Sequence, residues 1–155
     1  MTIDSRELRT ALGHFTTGVT VVSCRTDDGI AHGATVNAFT AVSLDPPLVL
    51  VSLSRRSRLC RLLENRPFTV NVLHADQRDL ALHFAGNPCL DRIPWTDERT
   101  PGLSDCLASV SCTPWRHYDG GDHVLYLGEV REFRTTGGRP LVFHIGQFHQ
   151  LHAAA

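Results

Sequence analysis

Apolar side chains at Leu8, Ala11, Leu12 and Phe15 follow an i, i+3, i+4, i+7 spacing, which predicts an amphipathic helix with one apolar stripe. Asp4 or Ser5 supplies its N-cap, Glu7 stands three residues after Asp4 as in a capping box, and Gly13 or Gly18 marks its end. Residues 19–25 (VTVVSCR) are dense in β-branched side chains and run into Thr26, Asp27, Asp28 and Gly29, a hairpin-type turn, so two antiparallel strands are expected. The second continues into residues 32–53, HGATVNAFTAVSLDPPLVLVSL. That stretch reads as a strand, a turn of small residues, a Pro46-Pro47 stop and a strand at 48–53, whose unbroken apolar run predicts burial on both faces.

Ser54 or Arg55 is expected to open a short helix with Leu59, Leu62 and Leu63 on its apolar face. Residues 68–73 (FTVNVL) alternate as a half-buried strand does, and Asp76 is placed to cap a helix carrying Leu80, Leu82 and Phe84. Residues 86–101 have no period and three prolines, which suits a surface excursion or a lid over a site. Residues 107–112 resume a strand, with Pro114 at an edge or bulge; a turn at 118–122 precedes a long strand at 124–133. Thr136, Gly137 and Gly138 make a further hairpin turn before residues 141–145. About seven strands, three short helices and no βαβ alternation predict a mainly β fold, a Greek-key or split β-barrel with peripheral helices. No repeat or linker divides the chain, so residues 1–155 are taken as one domain.

Composition narrows the classes of function. The net charge is −1 and all 15 basic residues are arginine, grouped only at Arg55, Arg56, Arg58 and Arg61, so a nucleic-acid partner is not expected. The five cysteines form no C-x-x-C pair, which suits reduced thiols in the cytoplasm, and no apolar run approaches the ~18 residues of a membrane span. Nine histidines lack H-E-x-x-H spacing, so no metal centre is expected, and G-x-G-x-x-G, P-loop and G-x-S-x-G patterns are absent.

Three features remain. The small-residue run Val36, Asn37, Ala38, Phe39, Thr40 is either the floor of a site for a flat ligand or a plain connection between strands. The start of the second helix, with Ser57, Arg56 and Arg58, is either a phosphate site or a solvated basic face. His123, after Asp122 on a rim turn, is either a donor or proton relay near neutrality or a structural turn residue. Together the functional readings suit a planar, phosphorylated ligand.

In order along the chain, HFTTGVTVVS, HGATVNAFTAVSLDPPLVLVSL, FTVNVL, FAG, GDHVLYLGEV and PLVFHIGQFHQL resemble the flavin reductase domain family, from about Leu8 to Leu151. These are small NAD(P)H:flavin oxidoreductases that supply reduced flavin to two-component monooxygenases. The resemblance implies an FMN-binding split barrel, FMN or FAD with NADH or NADPH as cofactors, a homodimer with flavin near its interface, and a flavin-dependent monooxygenase that receives reduced flavin by diffusion. It implies that Thr35, Val36, Asn37, Ala38 and Phe39 contact the isoalloxazine largely through backbone groups. Ser52, Arg56, Ser57 and Arg58 would take the ribityl chain and phosphate, and Phe84 and Ala85 would cover the flavin or its adenosine part. Asp122 and the catalytic candidate His123 match the nicotinamide-side motif, while Gly146 and Phe148 match the segment closing over the same ligand. Ala41, Leu59 and Phe148 each lack a hydroxyl common in the family, which bears on nicotinamide affinity and the choice of NADH or NADPH. The other readings of the same residues are a flavin carrier without activity and a single-component flavoenzyme that keeps its flavin.

Overall fold

The computed structural model describes residues 2–96 and 98–152. Helix α1 (Ser5–Gly13) begins as its sequence predicts, with the Asp4 carboxylate accepting from the N–H groups of Arg6 (2.7 Å) and Glu7 (3.1 Å). It lies against the fold without burying any residue. Strands β1 (Thr17–Gly18), β2 (Thr20–Arg25), β3 (Ala31–Val36), β4 (Phe39–Leu44) and β5 (Pro47–Ser54) follow, then helix α2 (Arg58–Leu63). Strand β6 (Phe68–Val72), a 3₁₀ turn (Ala75–Gln77) and helix α3 (Arg78–Phe84) lead through a long loop to β7 (Ala108–Gly120), β8 (His123–Thr135), β9 (Leu141–His144) and β10 (Gln147–Gln150).

Seven strands form one antiparallel sheet in the order β3-β2-β6-β7-β8-β5-β4, and β1, β9 and β10 form a second, small sheet. The run β6-β7-β8-β5 has Greek-key order, and the fold is the split barrel expected. Its interior holds Val22, Val51, Leu53, Phe68, Val70 and Tyr126, closed at one end by Leu59 and Leu63 of α2. A second cluster, with Val19, Val21, Leu73 and Leu80, sits between the two sheets and α3. Close packing reaches the backbone at Gly128, where a Cβ atom would stand 2.5 Å from the Phe68 ring. No helix among the described residues is long and apolar enough to cross a membrane.

Several elements differ from the pattern-based expectation. Ten strands are present among the described residues, not seven. Residues 39–44, expected within a turn, form edge strand β4, whose mixed composition suits a strand paired only with β5. Gly137 and Gly138 do not close a hairpin: the chain there leaves the large sheet for the small one, where β9 pairs with β1 and β10. Helix α2 starts at Arg58, later than expected, because the Ser57 side chain caps it. Strand β6 is buried on both faces, its polar residues Thr69 and Asn71 included. Asp76 does not cap α3, which starts without a side-chain cap; the His74 ring, in a capping box with Gln77, caps the 3₁₀ turn ahead of it.

Residues 86–96 and 98–107 form a strap fastened to the barrel. Asn71 accepts from the Leu103 N–H (2.8 Å), the Ser23 hydroxyl donates to Pro101, and Arg25 donates to the carbonyls of Glu98 (2.8 Å) and Arg99 (3.1 Å). Pro114 lies at a register shift between β7 and β8, beyond the end of β6, so its missing N–H costs no ladder bond on that side.

Candidate functional site

The break between β3 and β4 leaves Asn37 and Ala38 outside both ladders, so their N–H groups are not committed to sheet pairing, whereas the Asn37 carbonyl accepts from the Phe39 N–H at 2.9 Å. They form one wall of an open cleft of about 680 Å³ with Phe39, Thr40, Leu50 and Ser52, facing Leu12, Gly13 and Phe15 at the end of α1. Ser52 is held to this wall by its N–H, which donates to the Ala38 carbonyl at 2.9 Å. Phe143 and Gly146 close the third side. A smaller cleft shares Asn37 and Phe143 and adds Thr35, Ala85 and Phe148, with the Phe143 and Phe148 rings 5.4 Å apart.

Sequence-predicted residues divide by what their side chains do. The Thr35 hydroxyl donates to the Ala81 carbonyl (2.6 Å) and Val36 points into the core, so neither side chain has a free polar group to offer a ligand. Phe84 packs between His83 and Trp95, its ring 5.5 Å from the indole, and its ring edge lies where a Gly33 side chain would begin. Gly146 sits at φ +72 beside Ile145 at φ +44, a two-residue turn joining β9 to β10, and the Ile145 N–H donates to Gly13 at 3.0 Å. That bond fixes the turn against the end of α1.

The segment before α2 is organised differently from the reading of a free helix start. The Ser57 hydroxyl donates to Ser54 (2.8 Å) and accepts from the Cys60 N–H (3.1 Å), so it is occupied as a cap. Arg56 and Arg58 remain as the cationic groups. Arg58 acts on His32, whose pKa is lowered first by burial and then by that charge; on Asp122 the His123 hydrogen bond dominates and Arg56 adds the smallest contribution.

His123 lies directly across from Ser54 in the β5–β8 ladder, and its Nδ1 is 2.7 Å from the Asp122 carboxylate. That hydrogen bond, followed by the charge of His123, holds the Asp122 carboxyl below its ordinary value. Neither residue lines the apolar cleft within one chain; they stand on the adjacent rim, past the end of β5 that carries Ser52.

Sequence reasoning missed Thr17, Leu50 and Phe143, which the fold brings to the cleft from three separate strands. Thr17 is the informative one. Its buried hydroxyl is without a hydrogen-bond partner, a state that costs free energy unless something completes it. An apolar cleft with two unladdered backbone N–H groups and small side chains on one wall fits a flat heteroaromatic ring system with a few polar edges.

Comparison with known proteins agrees. A Rhodococcus sp. protein described as an NADH-dependent flavin reductase is 42% identical over 151 residues, covering 93% of this chain and 85% of its own. The reductase component of a Rhodococcus opacus 4-nitrophenol 4-monooxygenase/4-nitrocatechol 2-monooxygenase is 34% identical over 151 residues, covering 94% and 80%. The solved structure of the flavin reductase PheA2 in its native state superposes with a TM-score of 0.90 at 37% identity, covering 97% of this chain and 100% of that one. The sequence profile of the flavin reductase like domain matches residues 12–152, nearly the whole chain, and the protein belongs to that family.

Proposed function

We propose that the protein is an NAD(P)H:flavin oxidoreductase that reduces FMN or FAD and supplies the reduced flavin to a partner monooxygenase. The observation that carries this reading is the open apolar cleft walled by the unladdered Asn37 and Ala38, in a chain whose relatives are described as flavin reductases and monooxygenase reductase components. When both cofactors are bound, they supply the redox chemistry themselves, a hydride passing from nicotinamide C4 to flavin N5. The protein's task is to hold two rings in contact and exclude water, which asks for shape and hydrogen bonds and no acid-base dyad.

Thr35, Val36, Asn37, Ala38 and Phe39 bed the isoalloxazine, with Ser52 at its edge. Arg56 and Arg58 take the phosphate charge, and Ser57 acts by fixing the turn that presents them. Phe84 and Ala85 cover one flank, and Gly146 and Phe148 close over the nicotinamide. His123, oriented by Asp122, positions the nicotinamide and is not an obligatory proton donor.

The working form is a homodimer. Leu8, Leu12 and Phe15 make the apolar stripe of α1, and Phe15 is 81% exposed in a single chain. That stripe borders the cleft beside edge strand β4, so a second copy laid there buries apolar surface and covers the ligand site together. A cytoplasmic setting suits five cysteines that are all free thiols.

The test is a steady-state assay of purified protein with NADH or NADPH and FMN or FAD in all four combinations, following loss of reduced-nicotinamide absorbance. Oxidation far above the uncatalysed rate in at least one combination is expected. No acceleration in any would leave the flavin-carrier reading. Flavin retained through gel filtration would favour a single-component flavoenzyme.

A further inference from the structure

Arg55 belongs to the same arginine-rich segment as Arg56 and Arg58, yet its bonding is directed elsewhere. Its backbone N–H donates to the Asp122 carbonyl at 3.0 Å, its Nε donates to the Gly121 carbonyl at 2.7 Å, and its Nη2 pairs with the Asp119 carboxylate. All three acceptors lie on the β7–β8 hairpin end, within four residues of His123. The β5–β8 ladder has Ser54 opposite His123, and the Arg55 N–H adds one more cross-link just beyond that pair.

Burial does not hold this turn in place. The side chains of Asp119 and Asp122 are 82% and 94% exposed, and Gly121 takes the left-handed conformation at φ +73. On the other side of the turn, the Asp122 carboxylate holds the His123 ring through the 2.7 Å contact. A planar guanidinium reaching a carbonyl and a carboxylate at once fixes direction, which a point-charge ammonium cannot do at both acceptors. An ion pair this exposed adds little to global stability, so its effect is geometric.

We propose that Arg55 is a positioning residue of the reductase reaction, which staples the Gly121-Asp122 turn to the end of β5 and so sets where His123 stands against the nicotinamide. The inference rests on the reading that His123 faces the nicotinamide. It also gives the arginine segment two separate tasks: Arg56 and Arg58 serve the flavin phosphate, while Arg55 aligns the neighbouring nicotinamide turn.

The experiment compares Arg55→Ala, Arg55→Lys, Asp119→Ala, His123→Ala and the Arg55→Ala/His123→Ala double variant in the full-length protein, with NADH varied at saturating flavin and then the reverse. Arg55→Ala is expected to raise the NADH KM about tenfold, with kcat and the flavin KM within about twofold of the parent and an unchanged melting temperature. Arg55→Lys and Asp119→Ala should fall between, since each keeps one of the side-chain links. The double variant should be no worse than His123→Ala alone, because both changes remove one arrangement. A His123→Ala effect on the NADH KM without any from Arg55→Ala or Asp119→Ala overturns the Arg55 proposal alone. If His123→Ala leaves that KM unchanged, the reading of His123 falls and the Arg55 proposal with it.

Discussion

Asn71→Leu is the substitution that tests the barrel's polar interior most sharply. Asn71 is fully buried in β6, and its amide makes three bonds: Nδ2 donates to the Val21 carbonyl (2.8 Å) and the Ser23 hydroxyl (3.0 Å), and Oδ1 accepts from the Leu103 N–H (2.8 Å). Leucine keeps the branched shape, with slightly bulkier ends, and removes all three. The Leu103 N–H, in a residue 3% exposed, loses its acceptor, at a cost of about 1–3 kcal/mol, and the two donated bonds add about 1 kcal/mol each. The sum, about 3–5 kcal/mol, is a large share of the roughly 5–15 kcal/mol that holds a domain folded, and corresponds to a melting point lower by roughly 10 °C. Urea unfolding followed by far-UV circular dichroism, at one fixed protein concentration, measures it. The strap should also become more sensitive to limited proteolysis, because Asn71 and Ser23 tie it to the barrel. A loss of less than about 1 kcal/mol would refute the assignment of those three bonds, of which the one from Leu103 anchors the strap.

Burial pushes the Cys112 thiol up to about 12 and the Cys24 thiol up to about 11, so at neutral pH a thiol reagent should label exposed Cys89 in the native protein and all five cysteines only in denaturant. Because both folded values lie above the ordinary 9.0, the stability they carry is complete below pH 9 and is lost as pH rises through 11 and 12. Urea midpoints that stay flat from pH 8 to 11 would contradict that burial. Leu12→Glu places a charge on the exposed stripe of α1 and should convert a dimer on gel filtration into a monomer with weakened flavin binding, without lowering the monomer's own stability by more than about 0.5 kcal/mol; an unchanged elution volume would remove α1 from the interface. Gly128→Ala should lower stability by about 3 kcal/mol or more, since the new methyl group meets the Phe68 ring at 2.5 Å and the Cys112 Cβ at 2.7 Å.

Much of this architecture can be read from the chain because local signals and tertiary demands coincide. Asp4 caps α1, and Asp27, Asp28 and Gly29 close the β2–β3 hairpin with Gly29 at φ +75. Strand β4 escaped the pattern because an edge strand facing a cleft needs no apolar alternation: Phe39 lines the cleft while Leu44 is 93% exposed. Strand β10 is polar and short, and its turn uses Ile145 at positive φ, where composition signals only Gly146. Asn71 looked outward by alternation, yet β6 has neighbours on both faces, so its amide is spent on buried bonds. The site divides in the same way. A small-residue break at Asn37 and Ala38 is visible as sequence, whereas Thr17, Leu50 and Phe143 become neighbours only when the two sheets meet. For His123 the rim turn leaves a donor and a structural role both open, and only the resemblance points to the nicotinamide; Gly146 draws its functional reading from the resemblance alone.

The central claim is that the cleft between α1, the β3–β4 break and the β9–β10 turn is the flavin bed. A crystal structure of the protein with FMN tests it directly. The isoalloxazine is expected against Asn37, Ala38 and Phe39, with Ser52 at its edge and the phosphate beside Arg56 and Arg58. Flavin seated instead in the other large depression, between α2 and β7, against Arg61, His117 and Tyr118, would rule this site out.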